Sequence, residues 1–151
     1  MPTPANPPPQ RILVRAAGLY FLLVFGAGVI LGSVRVPFLV PRIGERLAEL
    51  AEMPVMFVII YFAARYVARR FLLPEQLTVR LKVGFLALLM AVCAEWLFAA
   101  MLAGRSVGAY IASRDPVSGS VYLAMLILFA AMPSFQARRG IQASSKRSSQ
   151  T

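Results

Sequence analysis

Three glutamates, Glu45, Glu49 and Glu52, follow one another at spacings of four and three, so a helix carries them on one face. Arg35 and Arg42 stand just upstream, and a further acid, Glu95, sits alone within an otherwise apolar run. Carboxylates and guanidiniums in such company could relay protons, bind a cationic or amphiphilic ligand, accept a partner's helix, or pin helices in register as internal ion pairs. Glu95 shares a row with Ala87, Ala91, Ala99 and Ala103 at spacings of four. Small residues on one stripe make a helix-packing face, so Glu95 is expected to face protein, with Arg35, Arg65 or Arg114 as its ionic partner. The expected cluster is therefore Glu49, Glu52 and Glu95 with one or more of Arg35, Arg42 and Arg114.

Other chemistry is thinly provided. The chain has no histidine, which removes the usual axial haem ligand and the commonest zinc and copper ligand. Its one cysteine, Cys93, lies in an apolar run and reads as a small buried hydrophobe. No P-loop, G-x-S-x-G or H-E-x-x-H pattern occurs. A serine nucleophile would need a lysine or carboxylate base, and the only lysines are Lys82 and Lys146. The expectation is a non-enzymatic protein without metal or cofactor.

The elements that must position these groups are apolar helices. The 151 residues are 59% hydrophobic, with a formal net charge of +10. Such composition belongs to an integral membrane protein. The basic residues gather at the ends of apolar runs, the pattern of topology signals and anionic-lipid contact, not of nucleic-acid binding. Residues 1–10 (MPTPANPPPQ) are too rich in proline to sustain a helix and read as a disordered tail. An all-α domain over 11–135 follows, with four transmembrane helices at about 14–34, 50–70, 83–103 and 116–134. Residues 136–151 read as a disordered basic tail.

Prolines and glycines punctuate that domain. Gly28 and Gly32 form a G-x-x-x-G pair in the first helix, a spacing that lets helix backbones approach. Pro37 and Pro41 are expected to break the first helix, leaving an amphipathic lead-in before the second. Asp115-Pro116 is a start signal for the fourth helix, and Pro133 is its expected stop.

The second helix poses a length problem. Its apolar stretch, Met53 to Ala64, has 12 residues, between Glu52 and Arg65, whereas a crossing needs about 20. Either Arg65 lies near the midplane, or Glu49 and Glu52 lie below the outer interface while Arg65 snorkels inward. Arg69 and Arg70 anchor naturally at the cytoplasmic boundary, which favours the second register. Ten basic residues (Arg11, Arg15, Arg69, Arg70, Arg80, Lys82, Arg138, Arg139, Lys146, Arg147) fall on one side and five (Arg35, Arg42, Arg46, Arg105, Arg114) on the other. The positive-inside rule then places both termini in the cytoplasm.

The stretch Gly32–Arg42 (GSVRVPFLVPR), its continuation IGERLAELAEMPVM and the later SRDPVSGSVYL resemble a group of small, uncharacterised four-helix inner-membrane proteins of bacteria. The resemblance covers about residues 12–135 and implies architecture and a bacterial inner membrane, with no assigned reaction. Small four-helix multidrug exporters are similar in size, but they carry their essential carboxylate in the first helix, where this chain has no acid. The expectation is an accessory, structural or self-associating subunit, partnered by the bilayer with anionic lipids at its cytoplasmic face, and by another membrane protein or further copies of itself. The alternative is a small proton-coupled transporter or channel working as an oligomer.

Overall fold

The computed structural model of the chain describes residues 9–103 and 116–148, and among them there is no strand. The first helix, α1, spans Gln10–Val34. It does not stop at the prolines: a π-helical turn, Arg35–Leu39, leads into a short helix, α2, at Val40–Ile43. Pro37 has no N–H to give, and its ring would crowd the carbonyl four residues back. A widened turn takes up both defects without ending the helix.

The stop is Gly44. Its φ of +80° and ψ of 163° belong to a region open to glycine and closed to residues with a Cβ. Its N–H closes on the Val40 carbonyl at 2.9 Å, and its own carbonyl accepts from Ala48 at 3.1 Å. From there α3 runs unbroken over Glu45–Arg70. The expected separate lead-in is thus the first two turns of α3 itself, so the three glutamates ride on a membrane-length helix. Glu45 in the first turn suits the positive helix end.

Helix α4 spans Leu77–Ala103 and α5 spans Pro116–Ser148. Pro133 lies inside α5 and does not end it, so the helix carries on through the stretch expected to be a disordered tail. The reason is local. Residue 133 in a helix would donate to the carbonyl of Phe129, and proline cannot. The hydroxyl of Tyr20 on α1 donates to that carbonyl instead, at 2.9 Å.

The helices form a ring in which α1 packs on α3 and α4, and α5 packs on α3 and α4. Arg35 meets Glu49 while Gly28 meets Met56, and Glu95 meets Tyr122 while Gly84 meets Ala130, so α1 and α3, and likewise α4 and α5, run antiparallel. At the end nearest the α3–α4 turn the packing is close, through Ala16, Ala17, Ala63, Ala64, Val67, Val83 and Ala87. Gly84 marks a close approach: a Cβ there would run into the Ala130 carbonyl oxygen. The outside is apolar, with Leu22, Ile30, Phe62, Phe85 and Ile127 all at least 60% exposed. Each of the four long helices has the length and hydropathy to span a membrane.

Candidate functional site

At the other end of the ring, toward Gly44, larger and charged side chains replace the alanines, and the helices stand apart around a cavity of about 460 Å³. Each long helix supplies a wall. Val24, Phe25, Gly28 and Val29 come from α1, and Arg35 from the π turn. Glu49, Glu52, Met53, Met56 and Ile60 come from α3; Ala91, Glu95 and Phe98 from α4; Tyr122, Met125, Leu126 and Phe129 from α5.

The polar groups fall into two sets on these walls. In the first, Arg35 Nη1 lies 3.4 Å from Glu49 Oε1, and Arg35 Nε lies 3.3 Å from Glu52 Oε2. The three side chains are largely shielded, at 23%, 12% and 15% exposure for Arg35, Glu49 and Glu52. The spacing of Glu49 and Glu52 puts both on the face that meets the π turn, which is why one guanidinium reaches both. These contacts are longer than the 2.7–2.9 Å of a well-aligned charged hydrogen bond. Arg35 Nε and Glu52 Oε2 are in fact buried without a hydrogen-bond partner, their separation notwithstanding. In the second set, the hydroxyl of Tyr122 on α5 donates to Glu95 Oε1 on α4.

The residues expected to form the cluster divide as follows. Glu49, Glu52, Glu95 and Arg35 face one cavity. Arg42 does not join them: it is exposed on α2 and absent from the cavity wall. Arg65 is exposed on α3 and lies off the cavity. Arg114 lies outside the described residues. On the alanine stripe, Ala87 and Ala91 are buried. Ala99 is helical backbone, with its side chain outside the described residues.

The glycine pair behaves differently from the expected backbone contact. Gly28 has only the Met56 methyl, at 3.8 Å from where a Cβ would sit, and Gly32 has nothing within 4 Å. Gly84, unremarked in the sequence because no second glycine lies four residues away, is where backbones meet.

Tyr122 and the methionines carry no site motif in the sequence. Tyr122 reads there as an interface or packing aromatic. The available signal was depth: it lies six residues into α5 while Glu95 lies eight residues before the end of α4, so antiparallel neighbours bring the two level. Met53, Met56 and Met125 carry no periodic signature that separates cavity lining from core.

Among the described residues, no group of three or more His, Cys, Asp or Glu is placed to hold a metal ion. The lining residues with chemical potential are a guanidinium, three carboxyls and a phenol. They offer hydrogen bonding and charge, and no nucleophile paired with a base. No family model, curated protein or solved structure matches the chain. Function therefore rests on the geometry of the cavity.

Proposed function

We propose that this chain is a non-enzymatic, multi-pass integral membrane protein that binds a small hydrophobic or amphiphilic molecule between its helices. The observation that carries the reading is the cavity: about 460 Å³, within the roughly 300–1,000 Å³ of small-molecule sites and like them mostly apolar with a few convergent polar groups. Ionic groups serving only to pin helices would be expected to close on one another, since protein interiors pack densely. Here Arg35, Glu49 and Glu52 contact one another and still line open space, which Glu95 and Tyr122 line from the opposite helices. Arg35 still ties the π turn to α3, so it can hold the wall in place and face the ligand at once.

The membrane assignment draws on four helices of spanning length and on their exposed apolar faces. We place the protein in a bacterial inner membrane with both termini cytoplasmic, following the charge asymmetry of its loops. The Gly44 end, and the cavity with it, then lies in the outer half. Transport of the ligand, or its presentation to a partner subunit, would each begin with this binding step.

The test is saturable binding of a neutral, environment-sensitive fluorophore, N-phenyl-1-naphthylamine, to the full chain in phosphatidylcholine nanodiscs, with empty nanodiscs subtracted. Gly28→Leu should weaken binding at least tenfold while thermal unfolding stays within a few degrees, because Gly28 faces the cavity with room for a side chain. Binding that is unsaturable, or equally strong in Gly28→Leu, would refute the ligand-binding reading.

A further inference from the structure

We infer that the cavity selects a lipophilic organic cation, with its positive centre held between Glu52 and Glu95 and its apolar body on the aromatic and methionine wall. This inference rests on the ligand-binding reading and adds the charge class of the ligand.

Charge balance is the first support. Among the described lining residues, three carboxyls face a single guanidinium. Arg35 is already shared between Glu49 and Glu52, while Glu95 takes its hydrogen bond from the neutral phenol of Tyr122. A carboxyl in an apolar setting keeps its charge only where a positive group compensates it, and a cationic guest would supply that compensation. Glu52 and Glu95 both line the space, and the phenol of Tyr122 gives Glu95 a hydrogen bond but no positive charge.

The walls argue for an organic cation over a metal ion. Metal ions need several ligands converging at bonding distance, and no such group exists among the described residues. Phe25, Phe98 and Tyr122 are aromatic residues lining the space, and aromatic faces attract diffuse cations. The Phe25 and Phe98 rings, 5.8 Å apart and tilted at 60°, join α1 to α4 at the rim, where Val29 and Phe98 are each about half exposed. A guest dissolved in the bilayer can therefore reach the cavity from the side. Met53, Met56 and Met125 give that wall soft, adaptable side chains, suited to a class of cations more than to one compound.

Two probes of matched shape and opposite charge test this: tetraphenylphosphonium and tetraphenylborate, added to the full chain in phosphatidylcholine nanodiscs with empty nanodiscs subtracted. Tetraphenylphosphonium should bind saturably and displace N-phenyl-1-naphthylamine, and tetraphenylborate should do neither. Glu52→Gln and Glu95→Gln should each weaken tetraphenylphosphonium tenfold or more, a larger factor than either changes binding of the neutral fluorophore. Equal binding of the two ions, or unchanged phosphonium affinity in both variants, would overturn the charge selection. If the neutral fluorophore still bound in that case, the cavity would remain a ligand site and only the cation assignment would fall. Should a glutamine variant fail to fold, the displacement experiment on the unaltered chain decides alone, and displacement by both ions or by neither counts against the inference.

Discussion

The contact between Tyr20 and Phe129 shows how one side chain can complete another helix's backbone. Tyr20 is fully buried, its ring is stacked on Phe129 with centroids 4.6 Å apart, and its hydroxyl meets the Phe129 carbonyl. That carbonyl lost its helical donor to Pro133. Removing the hydroxyl should thus leave a buried acceptor bare, which costs about 1–3 kcal/mol. We expect Tyr20→Phe to destabilise the protein by about 1–2 kcal/mol, at the lower end because membrane helices find substitute partners. In a Pro133→Ala background, where residue 133 again has an N–H, the same change should cost much less. Unfolding of the four proteins of this cycle in a denaturing detergent titration measures the difference. Equal costs of Tyr20→Phe in both backgrounds would refute the substitution of one donor for the other. Neither residue reveals this in the sequence. A proline at the end of an apolar run reads as a stop, and the donor that reaches the carbonyl it leaves bare, that of Phe129, lies 109 positions from that residue. Glu95 was more legible, because an acid on an alanine stripe has few places to go but inward. Arg35 and Arg42 look equivalent on paper, and only the π turn and Gly44 send one toward the acids and the other to the surface.

At the scale of elements, the number, type and order of the long helices follow from the length of the apolar runs, and their ends do not. Pro37, Pro41 and Pro133 each allow helix to continue, since a widened turn or a borrowed donor meets the cost locally. The stop after α3 comes instead from a leucine. Phe71, Leu72 and Leu73 close back on Val67, Arg69 and Ala68 at 3.0, 3.3 and 3.0 Å, and Leu72 takes a positive φ of 47°, the arrangement that usually carries glycine. Arg80, nearly buried, then reaches the carbonyls of Pro74 and Leu73 from its Nε and Nη2 at 3.2 and 3.3 Å. With the turn held from both sides, a strained residue is tolerated at its centre. A side chain in that left-handed region costs about 1–2 kcal/mol, and Leu72 is 87% exposed, so it has little packing to lose. Leu72→Gly should therefore raise stability by about 1 kcal/mol, seen as a higher midpoint of thermal unfolding in detergent. An unchanged or lower midpoint would mean that Leu72 contributes contacts, with lipid or with another copy, that outweigh its backbone strain.

Across the whole molecule the two ends of the ring are built differently, and orientation decides what each end meets. The closely packed end carries Arg69, Arg70, Arg80 and Lys82 around the α3–α4 turn, whereas at the Gly44 end Arg35 is shared between two glutamates. The positive-inside rule counts these basic residues and on that count proposes a cytoplasmic α3–α4 turn. The experiment begins by replacing Cys93, the only cysteine, with serine. Single cysteines are then placed at two exposed positions, Arg42 near Gly44 and Glu75 in the α3–α4 turn. In spheroplasts, a membrane-impermeant maleimide should label Arg42→Cys and leave Glu75→Cys unlabelled until the membrane is opened. The reverse pattern would invert the protein and put the cavity in the inner half, facing cytoplasmic ligands. Partial labelling of both sites before lysis would indicate two populations of opposite orientation, and complete labelling of both would mean that the segment between them does not cross. The expected pattern sets the closely packed end against the cytoplasmic surface and turns the acid-lined cavity outward, so that its guest would exchange with the outer leaflet of the membrane.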